Sequence, residues 1–172
     1  MRFFLGLGSN LGDRVENLRA ALEALARSAV LPCRCSWVYE SAPLGPVLDQ
    51  PVFLNLVLEV ESPLPPRALL ARLQEVETEL GRRTGVPKGP RVIDIDLLLV
   101  EELVATWPEL VLPHPEIGRR AFVLRPLLEL EPDLRDPRSG RPLGEKLAAV
   151  QEQQVQRLAP LLLGVAEAGS IA

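Results

Sequence analysis

Histidine, cysteine and lysine are scarce in this 172-residue chain, and the first two shortages exclude particular kinds of site. His114 is the only histidine, so a zinc site built from several histidines is excluded. The two cysteines, Cys33 and Cys35, are two residues apart on a predicted strand, a spacing that rarely gives a good disulfide. A cysteine metal site would need further ligands. We therefore expect two small, half-buried side chains.

Long apolar runs and an excess of positive charge are also missing. No apolar stretch approaches the roughly 20 residues that span a bilayer, and the run after Met1 is too short for a signal peptide. A net charge of −4 argues against a general nucleic-acid binder, whose surface is normally basic. The length and the 47% hydrophobic content predict a single domain, residues 1–172. Because no signal peptide is recognised, we expect the protein in the cytoplasm. The charge and the short apolar runs predict neither nucleic-acid nor membrane partners.

The sequence does contain a pair of aspartates at the start of an apolar strand. Asp94 and Asp96 are followed directly by Leu97–Val100. Side chains two residues apart leave the same face of a strand, roughly 6.5–7 Å from each other. Their carboxylates repel each other unless positive charge lies nearby, and magnesium or manganese suits such oxygen ligands. The alternative is a polar strand face, which the apolar run after Asp96 argues against.

Basic residues collect just upstream of this pair in an otherwise acidic chain. They are Arg82, Arg83, Lys88 and Arg91, in a loop that contains glycine and proline. Cations beside a magnesium site are typical of polyphosphate binding, and an arginine can hold two phosphate oxygens at once. The alternative is a basic surface loop that pairs with nearby glutamates.

A glycine-rich turn follows the first predicted strand. Gly6, Gly8 and Gly12 have the spacing G-x-G-x-x-x-G, which differs from the dinucleotide-binding pattern, and the acidic residue expected about 20 positions later is not clearly present. A tight strand-to-helix turn is the simpler interpretation, although Ser9 and Asn10 could also face a ligand.

The order of predicted elements indicates an α+β fold. A capping box at Asp13 and Glu16 predicts the start of the first helix, and Gly81 predicts the end of the second. The resulting β-α-β-β-α-β order is ferredoxin-like, an antiparallel sheet with helices packed on it. Residues 143–172 are expected to form a C-terminal helical extension, with 164–172 frayed. The predicted strands are 2–8, 32–40, 52–61 and the segment around Asp94, and the predicted helices are 14–29, 65–80, 119–130 and 143–162, with a long loop at 41–51.

Several short motifs follow one another in order along residues 2–134. Each is weak alone, but the ordered set resembles the 6-hydroxymethyl-7,8-dihydropterin pyrophosphokinases of folate biosynthesis. The resemblance implies transfer of the β,γ-diphosphate of MgATP to the hydroxymethyl oxygen of the pterin, with release of AMP. We expect a monomer or a weak homo-oligomer. The motifs are Gly8–Gly12, Pro43–Pro46, Asp49–Pro51, Phe53–Asn55, Gly81–Arg82, Gly89–Arg91 with Asp94 and Asp96, Pro113–Pro115, and Arg120 with Phe122.

The resemblance also implies roles for individual residues. Asp94 and Asp96 would bind two Mg²⁺ ions, and together with Arg82 and Arg91 they are the implied catalytic residues. The implied ATP-binding residues are Gln74, Glu77, Arg82, Lys88, Arg91 and His114. The implied pterin-binding residues are Ser41, Pro43, Leu44, Phe53, Asn55 and Phe122.

Ordinary structural roles are the alternatives for several of these side chains. Asn55 could be a satisfied structural amide, Phe53 and Phe122 core residues, Glu77 a solvated helix-face residue and His114 a turn cap.

The chain departs from the family pattern in two places. Loop 83–88 is about one residue shorter than usual and lacks an aromatic residue, and Pro115 stands where tyrosine is frequent. We still expect the loop to close over both substrates. Two other functions stay open: another Mg²⁺-dependent nucleotidyl or phosphoryl transferase, which would not need Asn55 and Phe122 in one pocket, and a noncatalytic ferredoxin-like binding module, which would not need the aspartates.

Overall fold

The computed structural model describes residues 1–83, 85 and 87–161. The strands are β1 (Arg2–Ser9), β2 (Leu31–Cys35), β3 (Trp37–Ser41), β4 (Phe53–Glu61), β5 (Asp94–Val100), β6 (Ala105–Trp107), β7 (Leu110–Leu112) and β8 (Val155–Pro160). The helices are α1 (Arg14–Ala26), α2 (Pro66–Glu79), α3 (Ala121–Leu130) and a 3₁₀-helix over Leu143–Val150. Within the described ranges, none of the helices is long and apolar enough to cross a membrane.

The larger sheet has the strand order β5-β1-β4-β3-β8, and β2 also pairs with β4. Every pair in it is antiparallel. The predicted strand 32–40 is divided at Ser36, whose hydroxyl accepts a hydrogen bond from the Val57 amide at 2.9 Å. The α+β class, with helices packed on an antiparallel sheet, is confirmed.

Alternation along β1 sends neighbouring side chains to two separate cores. Phe3, Leu5 and Leu7 belong to the core on the side of α1 and α2, whereas Phe4 belongs to the core on the side of α3. Apolar residues recur at helical spacing along α1 and α2 and are buried, except for Val15 in the first turn of α1, which is 41% exposed. The buried residues of that spacing are Leu18, Leu22, Leu25, Leu69, Leu73 and Val76.

Helix boundaries agree with the prediction at most ends. Asp13 caps α1, and its carboxylate accepts from the Glu16 amide at 3.0 Å, which is one of the two bonds of a capping box. The helix ends at Ala26 rather than at residue 29. Helix α2 gives way to Gly81, whose φ of +92° suits glycine. Helix α3 lies within the predicted range 119–130.

The predicted helix 143–162 is wrong beyond Val150. A 3₁₀-helix covers Leu143–Val150, and Val155–Pro160 is the strand β8, so the C-terminal extension is not helical as described. The physical reason is long-range: pairing with β3 satisfies this backbone, and the Arg157 guanidinium lies 3.8 Å from the centre of the Trp37 ring. The predicted fraying of 164–172 lies outside the described residues.

The cysteines differ slightly from expectation. Both are free thiols, but Cys33 is exposed and only Cys35 is partly buried. Burial raises the pKa of Cys35 to about 12, which makes it an unreactive thiol.

Candidate functional site

The site lies on the α3 side of the sheet, where the apolar core gives way to glycine and polar residues. Residues of β1 that share a face with Phe4 are Gly6 and Gly8. In the register with β5, Gly6 pairs with Asp96 and Gly8 pairs with Asp94. Both glycines and both carboxylates line a cavity of about 360 Å³ on this face.

Most of the predicted site residues line this cavity. Pro43, Gln74 and Glu77 do not, and Gln74 is exposed in a separate shallow depression on α2. The predicted residues that line the cavity are Ser41, Leu44, Phe53, Asn55, Arg82, Lys88, Arg91, Asp94, Asp96, His114 and Phe122.

Two arginines share the carboxylate of Asp94. Arg82 Nη1 lies 2.8 Å from Asp94 Oδ1, and Arg91 Nη1 donates to Asp94 Oδ2 at 2.9 Å. Burial by itself would lower the pKa of Arg82, but the carboxylates of Asp94 and Glu77 raise it, so the guanidinium is held as a cation. Of the four predicted polyphosphate-binding cations, Arg82 and Arg91 therefore lie at the aspartate pair, Lys88 lines the cavity, and Arg83 does not line it.

Glu77 lies buried behind this cluster rather than on a solvated helix face. Only 5% of it is exposed, and it accepts a hydrogen bond from the Ile95 amide at 2.6 Å. Its Oε1 also lies 2.5 Å from Arg82 Nη1. Burial raises the pKa of Glu77, and the Ile95 N–H and Arg82 oppose that rise. Its geometry suits holding Arg82 and the start of β5 in place.

The ionised form of Asp96 is unfavourable in this setting. Burial raises its pKa to about 7, the nearby charge of Asp94 adds to the rise, and Arg120 opposes it. A cation beside the pair would relieve this cost. No group of three or more His, Cys, Asp or Glu side chains is arranged for metal binding in 1–83, 85 and 87–161. Two carboxylates nevertheless fit Mg²⁺, which commonly takes one or two of them together with water and substrate phosphates.

Arg91 has further hydrogen-bonding capacity in the cavity. Its Nε is the one buried side-chain nitrogen or oxygen without a partner among the described residues. The guanidinium carbon lies 5.6 Å from the centre of the Phe53 ring. A buried N–H without an acceptor costs roughly 1–3 kcal/mol, so an anionic oxygen at this position would stabilise the site.

The other half of the cavity combines an amide with two aromatic rings. Asn55 is 5% exposed, and its Nδ2 donates to Ser41 Oγ at 2.8 Å. An added Cβ on Gly8 would lie 3.0 Å from Asn55 Oδ1, so glycine leaves that oxygen room. Phe53 and Phe122 line the same cavity. Rings and an amide with a donor and an acceptor suit a flat heterocycle.

His114 is a neutral imidazole in this cavity. Burial lowers its pKa, and the positive charge of Arg120 lowers it further. Its Nδ1 accepts a hydrogen bond from the Glu116 amide at 3.1 Å, so the ring proton lies on Nε2. His114 therefore offers an N–H donor.

Three charged residues of the cavity were not predicted as site residues. They are Glu116, Arg119 and Arg120, and the guanidinium carbon of Arg120 lies 5.7 Å from the centre of the Phe122 ring. The two adjacent arginines shortly before Phe122 were the sequence feature from which this charged part of the cavity could have been predicted.

The possible ligand contacts of Ser9 and Asn10 are corrected by the structure. Ser9 Oγ accepts from Asn17 Nδ2 at 3.1 Å, and Asn10 bonds to protein groups. Neither side chain lines the cavity.

Comparison with known proteins gives one consistent result. A family model described as 7,8-dihydro-6-hydroxymethylpterin-pyrophosphokinase matches residues 4–132. The 2-amino-4-hydroxy-6-hydroxymethyldihydropteridine pyrophosphokinase of Pseudomonas aeruginosa is 44% identical over 161 residues, which are 91% of this chain and 96% of that protein. The folic acid synthesis protein fol1 of Pneumocystis carinii is 35% identical over 92% of this chain, which spans only 21% of fol1.

Solved structures agree at the level of the fold. A crystal structure of Plasmodium falciparum HPPK-DHPS matches with a TM-score of 0.69 at 14% identity, over 88% of this chain and 44% of that one.

Proposed function

The chain belongs to the 7,8-dihydro-6-hydroxymethylpterin-pyrophosphokinase family, and we propose that its cavity transfers the diphosphate of ATP to the hydroxymethyl group of 6-hydroxymethyl-7,8-dihydropterin, releasing AMP. It acts as an ATP-dependent diphosphotransferase of folate biosynthesis. The observation that carries the proposal is that one cavity holds both the cation-flanked pair Asp94 and Asp96 and the amide and rings of Asn55, Phe53 and Phe122.

On the nucleotide side, Asp94 and Asp96 would hold Mg²⁺, as two ions that would neutralise phosphate charge when ATP is bound. Asp94 Oδ1 lies 2.8 Å from Arg82 Nη1 and Oδ2 accepts from Arg91 Nη1 at 2.9 Å, so a Mg²⁺ ion at Asp94 would share this carboxylate with the two guanidinium groups. Their remaining N–H groups would bind phosphate oxygens, among them the Arg91 Nε that has no protein partner among the described residues. Lys88 and His114 add donors to this half.

The reaction needs little covalent chemistry from the protein. The hydroxymethyl oxygen of the pterin attacks the β-phosphorus and loses its proton to solvent, while the bond from that phosphorus to the α,β-bridging oxygen breaks and AMP departs. Charge develops on the departing AMP and on the transferred group, and Arg82 and Arg91 stabilise it electrostatically. Positioning and electrostatics are therefore the main contributions of the cavity.

On the pterin side, Asn55 hydrogen-bonds the edge of the ring and Phe53 and Phe122 stack on its faces. The donor bond to Ser41 fixes the orientation of the Asn55 amide. Leu44 closes the pocket from the loop between β3 and β4. Pro43 lies in the same loop and does not line the cavity.

The implied ATP-binding roles of Glu77 and Gln74 are limited by the positions of these residues outside the cavity. Glu77 acts through Arg82, because it pairs with that guanidinium and does not line the cavity. Gln74 has no support from the geometry of the cavity, since it lies in a separate depression.

The remaining expectations complete the proposal. The ferredoxin-like assignment is supported by the succession of strands and helices from β1 to β5 and by the sheet order β5-β1-β4-β3. A single domain in the cytoplasm, as a monomer or weak homo-oligomer, stays a prediction. Closure of loop 83–88 over both substrates also stays a prediction. Residues 84 and 86 of that loop lie outside the described residues.

The test is to measure AMP and ADP release from MgATP with and without 6-hydroxymethyl-7,8-dihydropterin. Pterin-dependent AMP without ADP is the expected result. Pterin-dependent ADP would indicate γ-phosphoryl transfer, and binding of pterin without any reaction would indicate a noncatalytic module.

A further inference from the structure

The segment between the 3₁₀-helix and β8 carries a side-chain amide that bonds to the backbone at the start of α3. Gln153 Oε1 accepts a hydrogen bond from the Ala121 amide at 2.8 Å, and Gln153 Nε2 donates to the Arg119 carbonyl at 2.8 Å. The side chain therefore holds the backbone on both sides of Arg120. Gln153 lies beyond residues 4–132, which the family model matches, and does not line the cavity.

The bond to Ala121 meets a need at the start of α3. The first four N–H groups of a helix have no partner within the helix. The N-cap residue of α3 is Arg120, which makes no side-chain capping bond, and Ala121 is buried. Because a buried N–H without an acceptor is costly, Gln153 supplies the missing cap from 32 residues away.

The backbone that Gln153 holds presents two residues to the cavity. Arg120 and Phe122 both line it, and the guanidinium carbon of Arg120 lies 5.7 Å from the centre of the Phe122 ring. Phe122 is in the first turn of α3, and the ends of a helix are where its order is lost first. The positions of this cation and this ring therefore depend on the two bonds of Gln153.

The segment that carries Gln153 is itself fixed to the rest of the protein. The backbone amide of Gln153 donates to the Val150 carbonyl at 3.1 Å. Two residues later, Val155 pairs with Ser41 of β3, and its carbonyl accepts from Arg125 Nη1 at 3.1 Å. Because its own backbone is held in this way, the Gln153 side chain can hold the start of α3 against the sheet.

We propose that Gln153 is a positioning residue for the pterin half of the cavity, and that it keeps Arg120 and Phe122 in place through the backbone around them. The inference rests on the proposed function, which places Phe122 on a face of the pterin. It gives the C-terminal segment a part in substrate binding as well as in folding.

The test measures two dissociation constants by calorimetry. One is the Kd of the magnesium complex of the α,β-methylene analogue of ATP, and the other is the Kd of the dihydropterin when that complex is saturating. Gln153→Met keeps the approximate size of the side chain and removes both bonds. We expect the Kd of the dihydropterin to rise about tenfold, the effect of one or two ordinary hydrogen bonds. The Kd of the nucleotide analogue should change by less than about threefold, because Arg82 and Arg91 are held by other bonds.

Asp13→Ala is the matched control. It removes the same kind of bond, the side-chain cap at the start of a helix, but at α1, which does not line the cavity. Urea unfolding should show a similar loss of stability in Asp13→Ala and Gln153→Met. The Kd of the dihydropterin should stay at the wild-type value in Asp13→Ala, which separates positioning from a general loss of stability.

Two more variants test how Gln153 acts. Gln153→Glu keeps an acceptor for the Ala121 amide but places an oxygen against the Arg119 carbonyl, so its Kd for the dihydropterin should lie between those of wild type and Gln153→Met. In a Phe122→Leu background, Gln153→Met should weaken dihydropterin binding by no more than about threefold, because both changes act on the same ring.

The inference is overturned if Gln153→Met binds the dihydropterin as tightly as wild type, or if Asp13→Ala weakens that binding equally. It is also overturned if Gln153→Glu binds no more tightly than Gln153→Met, or if the full effect of Gln153→Met persists in the Phe122→Leu background. A wild-type protein that binds no dihydropterin at all would instead overturn the proposed function.

Discussion

Replacing Glu77 with alanine should destabilise the protein by about 2–4 kcal/mol and lower its turnover. The buried Ile95 N–H would lose its acceptor, which costs roughly 1–3 kcal/mol. Removal of one partner of a fully buried ion pair costs about 3–5 kcal/mol, but the Arg82 side chain is 36% exposed, so water replaces part of that loss. The expected total loss of stability is therefore smaller than these two costs added together.

The same helix offers a matched control. Glu75 pairs with Arg72 at 2.6 Å, but both side chains are well exposed, so Glu75→Ala should change stability by about 0.5 kcal/mol or less. Glu77→Gln keeps an acceptor for Ile95 and should cost less stability than Glu77→Ala, while the loss of charge on Arg82 still lowers kcat. Urea unfolding and steady-state kinetics measure both quantities. Equal unfolding midpoints for Glu77→Ala and Glu75→Ala would contradict a stabilising role for the buried carboxylate of Glu77.

Three further predictions concern other parts of the molecule. Gly8→Ala places a Cβ 3.0 Å from Asn55 Oδ1. This variant should raise the KM for the pterin about tenfold, with less effect on the KM for ATP. An unchanged KM for the pterin would contradict the proposed role of Asn55. Arg91→Lys replaces a forked donor by a point charge and should lower kcat by at least about tenfold in steady-state assays, and wild-type kcat would argue against phosphate contact. Hydrogen bonds from Arg138 lower the pKa of buried Asp136 in the folded protein. This pairing therefore stabilises the fold fully above the pKa of an unfolded aspartate, which is about 4. The stabilisation is lost as the pH falls through the lower pKa of the folded state. Asp136→Ala should therefore cost about 1–3 kcal/mol in urea unfolding at pH 7 and clearly less near pH 2; an equal cost at both values would contradict this account.

The aspartate pair could be predicted from sequence because its geometry is local. Two residues apart on a strand is a fixed relation, and the structure places Asp94 and Asp96 on one face of β5. The apolar spacing of α1 and α2 is local in the same sense. The family motifs added the proposed pterin pocket. Phe53 and Asn55 are two residues apart on β4, but Phe122 lies on α3, and no local spacing could have brought that helix to the strand.

The features that sequence reasoning missed all depend on distant partners. Glu77 is buried because Arg82 and Ile95 lie beside it, and a glutamate on a helix otherwise predicts a solvated face. Asn10 bonds to groups 40 to 81 residues away, which the turn pattern around it does not reveal. Strand β8 forms because β3 offers a free edge, whereas its own residues gave no clear strand signal.

The most direct test of the central claim follows labelled phosphorus from ATP, with label placed separately at the α, β and γ positions. We expect β and γ label to move together onto the pterin, α label to stay in AMP, and Asp96→Asn to lower this transfer by several orders of magnitude. Movement of γ label alone, or full transfer by Asp96→Asn, would contradict diphosphate transfer at the aspartate pair.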